Sequence, residues 1–195
     1  DTSAAPKITE TPSWAGVVLG PPPENSRYYA VIGSFTVPNP RPAKTFDGQP
    51  SKWVGSAWVG IDGWLGQNTL FQAGIDWTVS VEDNGTTSTA YRAWHEWVPD
   101  LPTYFPNFVI EPGDTITILC ETNSTSYGTC AIQNQNKGVA AQQGFHAPAD
   151  AGNATKFDLE GKFVEWIVED QKNGYGPLPF ADFGSIEWFD CQAAT

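Results

Sequence analysis

Side chains able to move protons recur in four short stretches of this chain: Ala57-Trp58-Val59-Gly60-Ile61-Asp62, Leu70-Phe71-Gln72-Ala73-Gly74-Ile75-Asp76-Trp77, Tyr91-Arg92-Ala93-Trp94-His95-Glu96-Trp97 and Phe163-Val164-Glu165-Trp166-Ile167-Val168. Carboxylates give and take protons in acid, and a carboxamide offers N–H donors that do not titrate. Successive side chains of a strand point to opposite faces, so a period of two sorts each stretch. Gln72 and Asp76 oppose Phe71, Ala73, Ile75 and Trp77, and Trp58 and Asp62 oppose Val59 and Ile61. Arg92, Trp94 and Glu96 oppose Ala93 and Trp97, and Glu165 opposes Val164, Trp166 and Val168. A sheet built from these strands lines one face with carboxylates, a carboxamide and indoles, the raw material of an acid–base site.

Other chemistries find no support. With two histidines, His95 and His146, and no H-E-x-x-H, no catalytic metal is expected. His95 falls on the apolar side of its strand, where a structural role is expected. There is no G-x-S-x-G elbow, P-loop or dinucleotide fingerprint, so neither a serine nucleophile nor a cofactor is expected. Any one of the carboxylates, taken alone, is best read as solvating an exposed sheet face. Trp58 and Trp94 on the same faces shift the reading, because indoles beside carboxylates mark a surface built to hold something.

The elements that must position these groups are strands. Tyr28–Val37 is a long apolar run ending at Pro38, and further strands are predicted over 14–19, 53–62, 69–81, 88–98, 115–120, 129–135, 138–145, 162–169 and 183–189. A short apolar run at 108–110 leads into a Pro112-Gly113-Asp114 turn, and Glu82-Asp83-Asn84-Gly85 carries an Asn-Gly hairpin signal. No stretch sustains a helical apolar period. Aromatics make up 13% of the 195 residues, with 19 Gly and 16 Pro as punctuation, which favours an all-β fold. The expected architecture is one domain over 1–195, a concanavalin-like sandwich of two large antiparallel sheets with a concave active-site face. The proline-rich stretch from Pro38 to Pro50 is expected to be an exposed loop open to proteolytic nicking.

Charge and cysteines bound the setting. A net charge of −12 argues against nucleic acid and anionic membrane as partners, because phosphates would be repelled. No run is long and apolar enough for a transmembrane helix. Cys120 and Cys130 flank a polar loop between two β-like runs and are expected to form a disulfide, leaving Cys191 either a free thiol or paired with a partner beyond Thr195. Three glycosylation sequons, at Asn84, Asn123 and Asn153, join that disulfide in favouring an oxidising, secreted setting. The first residues lack a signal peptide's pattern, so a processed, extracellular chain is expected.

The four blocks, together with Ser13-Trp14-Ala15-Gly16 and Pro179-Phe180-Ala181-Asp182-Phe183, resemble in order and spacing the signature blocks of the glutamic peptidases, the eqolisins. The resemblance implies a secreted, acid-acting endopeptidase of fungal type, insensitive to pepstatin-type inhibitors, that needs no metal and acts on proteins or peptides. It assigns catalysis to Gln72 and Glu165, and cleft-lining or supporting places to Trp14, Trp58, Asp62, Asp76, Trp94 and Glu96. Two departures stand out. Arg92 stands where the family pattern carries an acid, either paired with a nearby carboxylate or solvated at the cleft rim. The chain also stops soon after Cys191, where relatives continue, so a separate or cleaved C-terminal fragment is expected as a partner. Two other readings remain at this point: a jelly-roll glycoside hydrolase using Glu96 and Glu165, or an inactive, lectin-like homologue on the same fold.

Overall fold

The computed structural model describes residues 7–43, 51–149, 157–174 and 176–195. Pro and Gly cut the aromatic runs into strands. These are β1 (Trp14–Leu19), β2 (Ala30–Thr36), β3 (Lys52–Ile61), β4 (Leu70–Val81), β5 (Thr87–Val98), β6 (Thr103–Tyr104), β7 (Thr115–Thr122), β8 (Tyr127–Asn134), β9 (Val139–His146), β10 (Val164–Glu169), β11 (Lys172–Asn173), β12 (Gly176–Pro177) and β13 (Trp188–Ala194). Among the described residues the one helical element is a 3-10 turn, Trp64–Gly66.

Two antiparallel sheets pack face to face. One runs β1-β10-β3-β4-β5-β6, the other β13-β2-β7-β8-β9, and β11 and β12 form a separate ribbon. The expected all-β sandwich is therefore the observed one. β4 and β5 are joined at the Asn-Gly turn, where Gly85 takes φ 80° and Thr86 N–H donates to Asn84 Oδ1 at 2.9 Å. Cys120 and Cys130, paired across β7 and β8, are joined by a disulfide inside the core.

The core lies between the sheets and takes the apolar faces that the period of two picks out. Phe71, Ile75, Trp77 and Trp97 of the first sheet meet Val31, Phe35, Ile116, Ile118 and Ile132 of the second. Trp166 crosses the gap, donating its indole N–H to Ile32 O at 2.9 Å. It lies against Gly33, where a Cβ would come within 2.6 Å of the ring. His95 packs on Phe105 and Phe145, with ring centroids 5.0 and 4.6 Å away, as a core histidine.

The C-terminal strand is displaced from the sequence expectation. The stretch 183–189 is mostly irregular: Gly184 takes φ 72°, and Phe180, Phe183 and Ile186 pack on the core without pairing as a strand. Pairing with β2 begins at Trp188 and passes an irregularity between Phe189 and Gln192, beside the left-handed Asp190. Cys191 lies in this strand as an exposed free thiol. The run at 108–110 forms no strand. Asn84 and Asn123 are exposed, whereas Asn153 and residues 44–50 of the proline-rich loop lie outside the described residues.

Candidate active site

Strand register sorts the outer face of the six-stranded sheet into rows. One row reads Val18, Glu165, Gly60, Gln72 and Glu96 across β1, β10, β3, β4 and β5. The next reads Gly16, Ile167, Trp58, Gly74, Trp94 and Tyr104, and the third reads Trp14, Glu169, Ser56, Asp76 and Arg92. Glu165 and Gln72 thus stand on either side of a glycine, their backbones two strand spacings, or about 10 Å, apart. Gly74 separates the indoles of Trp58 and Trp94 in the same way, because a Cβ there would lie 2.5 Å from Ala57 O.

Glu165 is fully buried, and neither of its carboxyl oxygens has a hydrogen-bond partner among the described residues. A second apolar cluster, Trp58, Leu70, Trp94 and Ile167, packs on the same face of the sheet. Leu70 Cδ1 and Trp58 Cζ3 lean over Gly60, at 2.9 and 3.0 Å from where a Cβ would stand. Burial pushes the Glu165 carboxyl well above the usual range, and the charge of Asp62 adds to the rise. The ordinary carboxylate pKa that isolated chemistry suggests is therefore not what this position has.

Gln72 donates its Nε2–H to Glu96 Oε2, and its Oε1 has no partner among the described residues. Burial raises the Glu96 pKa to about 7, against the lowering effect of that hydrogen bond and with a further rise from Glu169. Glu169 accepts from Trp58 Nε1 at 2.8 Å and is itself raised by burial. Trp14 stands edge-on to Trp58, with centroids 4.9 Å apart.

Asp62 departs from the expected alternation. It follows the last residue of β3 with φ 68° and turns its carboxylate toward the segment leading into β10. There it accepts from the N–H groups of Glu160, Gly161 and Lys162 at 2.7–2.8 Å and from Gln67 Nε2 at 3.1 Å. Asp62 thus fixes the entry of the strand that carries Glu165, rather than lining the cleft.

Arg92 is paired. Its Nε and Nη2 donate to Asp76 Oδ1 and Oδ2 at 3.3 and 2.9 Å, and its guanidinium lies 3.9 Å above the Tyr104 ring centroid. Tyr104 OH donates to the same Asp76 carboxylate at 3.2 Å. These residues line one wall of a cleft of about 370 Å³ that also takes in Gln72, Trp94 and Glu96. Glu165 is fully buried and does not line that cleft. Sequence reasoning missed Tyr104, Glu169 and Lys172 as lining groups. The period of two, carried four residues on from Glu165, reaches Glu169, whereas Tyr104 and Lys172 sit on two-residue strands with no pattern to read.

Known proteins resemble this chain over most of its length. The family model described as the Peptidase A4 family matches residues 12–195. Aspergillopepsin-2 of Aspergillus niger is 33% identical over 196 residues, covering 94% of this chain and 64% of that protein. Scytalidopepsin B of Scytalidium lignicola is 28% identical over 198 residues, covering 98% of this chain and 66% of that protein. The chain therefore spans slightly less than two thirds of the length of these curated relatives. A crystal structure of scytalido-glutamic peptidase with a transition state analog inhibitor matches with a TM-score of 0.69 and 28% identity, covering 93% of this chain and 80% of that one. With a family match over nearly its whole length, the chain belongs to the Peptidase A4 family, the glutamic peptidases that its four sequence blocks resemble.

Proposed function

We propose that this chain is a single-domain, secreted glutamic endopeptidase that hydrolyses peptide bonds in acid through Glu165 and Gln72. The observation that carries the reading is the fully buried Glu165, its carboxyl oxygens unpartnered among the described residues, in one register row with Gln72 across a glycine. The exposed sequons Asn84 and Asn123 and the Cys120–Cys130 disulfide support secretion.

Ionised Glu165 takes a proton from water as the water oxygen bonds to the peptide carbonyl carbon. The Gln72 amide N–H not engaged by Glu96 donates to the oxyanion that develops. Glu165 then returns the proton to the amine nitrogen as the C–N bond breaks. A raised pKa makes Glu165 a stronger base once ionised, and hydrogen bonds from the reacting water favour its charged form. Leu70 and Trp58 must swing clear of Gly60 for the reactants to reach it. Glu96, with its pKa raised to about 7, is neutral in acid and places no negative charge beside the oxyanion. Its tie to Gln72, three strand spacings or about 14 Å of backbone from Glu165, argues against a glycosidase pair of these two glutamates.

Digestion of a denatured protein at pH 4, with and without pepstatin, tests the activity. Cleavage undiminished by the inhibitor is expected. Absence of cleavage across acidic pH would leave the lectin-like reading in its place.

A further inference from the structure

The end of the cleft remote from Glu165 carries a feature that peptide hydrolysis alone does not require. Arg92 and Lys172 both line it, together with Ser56 and Asp76, the register partners of Glu169 and Arg92. Arg92 commits Nε and Nη2 to Asp76 and one face to Tyr104, so its guanidinium is held in place while the side chain remains 54% exposed. Nη1 takes no part in that pair. Lys172 forms no ion pair within 4.0 Å among the described residues. A fixed planar fork and an exposed ammonium lining the same cleft suit a carboxylate.

We propose that this end of the cleft is a subsite for an acidic side chain of the substrate, two to four residues from the bond that is cut. The inference rests on the proposed peptide hydrolysis. The spacing follows from β4, where Asp76 lies four residues beyond Gln72, about 13 Å along the strand, and from the reach of an arginine back over that distance.

Charge supports the reading at working pH. The titratable groups facing this end are Asp76 on β4, Arg92 and Glu96 on β5, Tyr104 on β6, Glu169 on β10, and Asp170 and Lys172 beyond it. Burial raises all four carboxyl groups, so they gain protons in acid more readily than ordinary carboxylates. Acid therefore lessens the negative charge around the two cationic side chains.

Matched internally quenched peptides, with glutamine replaced at each position in turn by cysteic acid, test this at pH 4, since the sulfonate stays ionised. At one position in the predicted window, the anion should raise kcat/KM about fivefold over glutamine, with the gain suppressed by salt. The Arg92→Gln variant should erase that ratio, and Lys172→Gln should reduce it. Should Arg92→Gln fail to fold, the Asp76→Asn/Arg92→Gln double variant removes both charges together and should also erase it. Equal cleavage of all the peptides, or a ratio that survives loss of Arg92, overturns the subsite alone. Cleavage of none of them, the neutral ones included, overturns the subsite and the peptidase reading together.

Discussion

Glu165 holds a buried carboxyl group without a hydrogen-bond partner among the described residues, and Leu70 leans over Gly60, its register partner. A buried carboxyl of this kind is costly to ionise, so the acid side of the activity profile should report on its surroundings. Leu70→Ala admits water to the space over Gly60 and lessens the desolvation of Glu165. The acid limb of the kcat/KM profile should then move to lower pH, even as the variant loses about 2–5 kcal/mol of stability. An unmoved limb in a folded variant would separate Glu165 from the rate. The residues themselves are legible in the amino-acid sequence. Gln72, Asp76, Glu96 and Glu165 reveal themselves by alternation, because one face of each strand is packed with Phe71, Ile75, Trp97 or Trp166. Asp62 escapes that pattern for a local reason, since its positive φ takes it out of the alternation that the sequence suggests.

Strand pairing is what turns these residues into a site. Glu165 and Gln72 are far apart in sequence, and only the insertion of β3 between β10 and β4 sets Gly60 between them. No pattern within one strand encodes that register, so the importance of Gly60 is invisible in the sequence. A methyl at this position would meet Leu70 Cδ1 at 2.9 Å, Trp58 Cζ3 at 3.0 Å and Gln72 Cβ at 3.3 Å. Gly60→Ala should therefore displace the groups that surround the reaction, costing about 1–3 kcal/mol in stability and at least about tenfold in kcat/KM. Thermal melts beside steady-state kinetics separate the two losses, and full activity in the variant would contradict the role of the gap. The shift of the C-terminal strand to Trp188–Ala194 has a similar origin. The aromatic run before it reads as a strand, yet Phe180 and Phe183 are spent on the core, and Arg41 pairs with Asp182 as an isolated bridge.

At the scale of the whole molecule, buried carboxyl groups tie stability to pH. Glu165, Glu96, Glu169, Asp76 and Asp170 all have raised pKa values in the fold, with burial as the leading cause. An acid whose pKa is raised on folding holds a proton that the unfolded chain has already released. Stability then falls as pH rises from the unfolded value near 4 through the folded values, which for Glu96 means about 7. His95, lowered by burial, and the surface Glu160, lowered by its hydrogen bond from Lys162, act in the opposite sense, but they are two groups against five. A net charge of −12 at neutral pH adds self-repulsion in the same direction as the carboxyls. The melting temperature should be higher at pH 4 than at pH 7, and calorimetry at fixed ionic strength checks it. A chain more stable at pH 7 would show that these carboxyls are not buried as described.

The two-residue dyad is the claim on which the rest depends, and kcat for Glu165→Gln at pH 4 tests it most directly. The substitution keeps the shape of the side chain and relieves a buried ionisable group, so the fold should persist by near-UV circular dichroism. The account predicts a fall in kcat of at least about 10³-fold with the fold intact. A folded Glu165→Gln protein that cleaves peptides at the wild-type rate would contradict it.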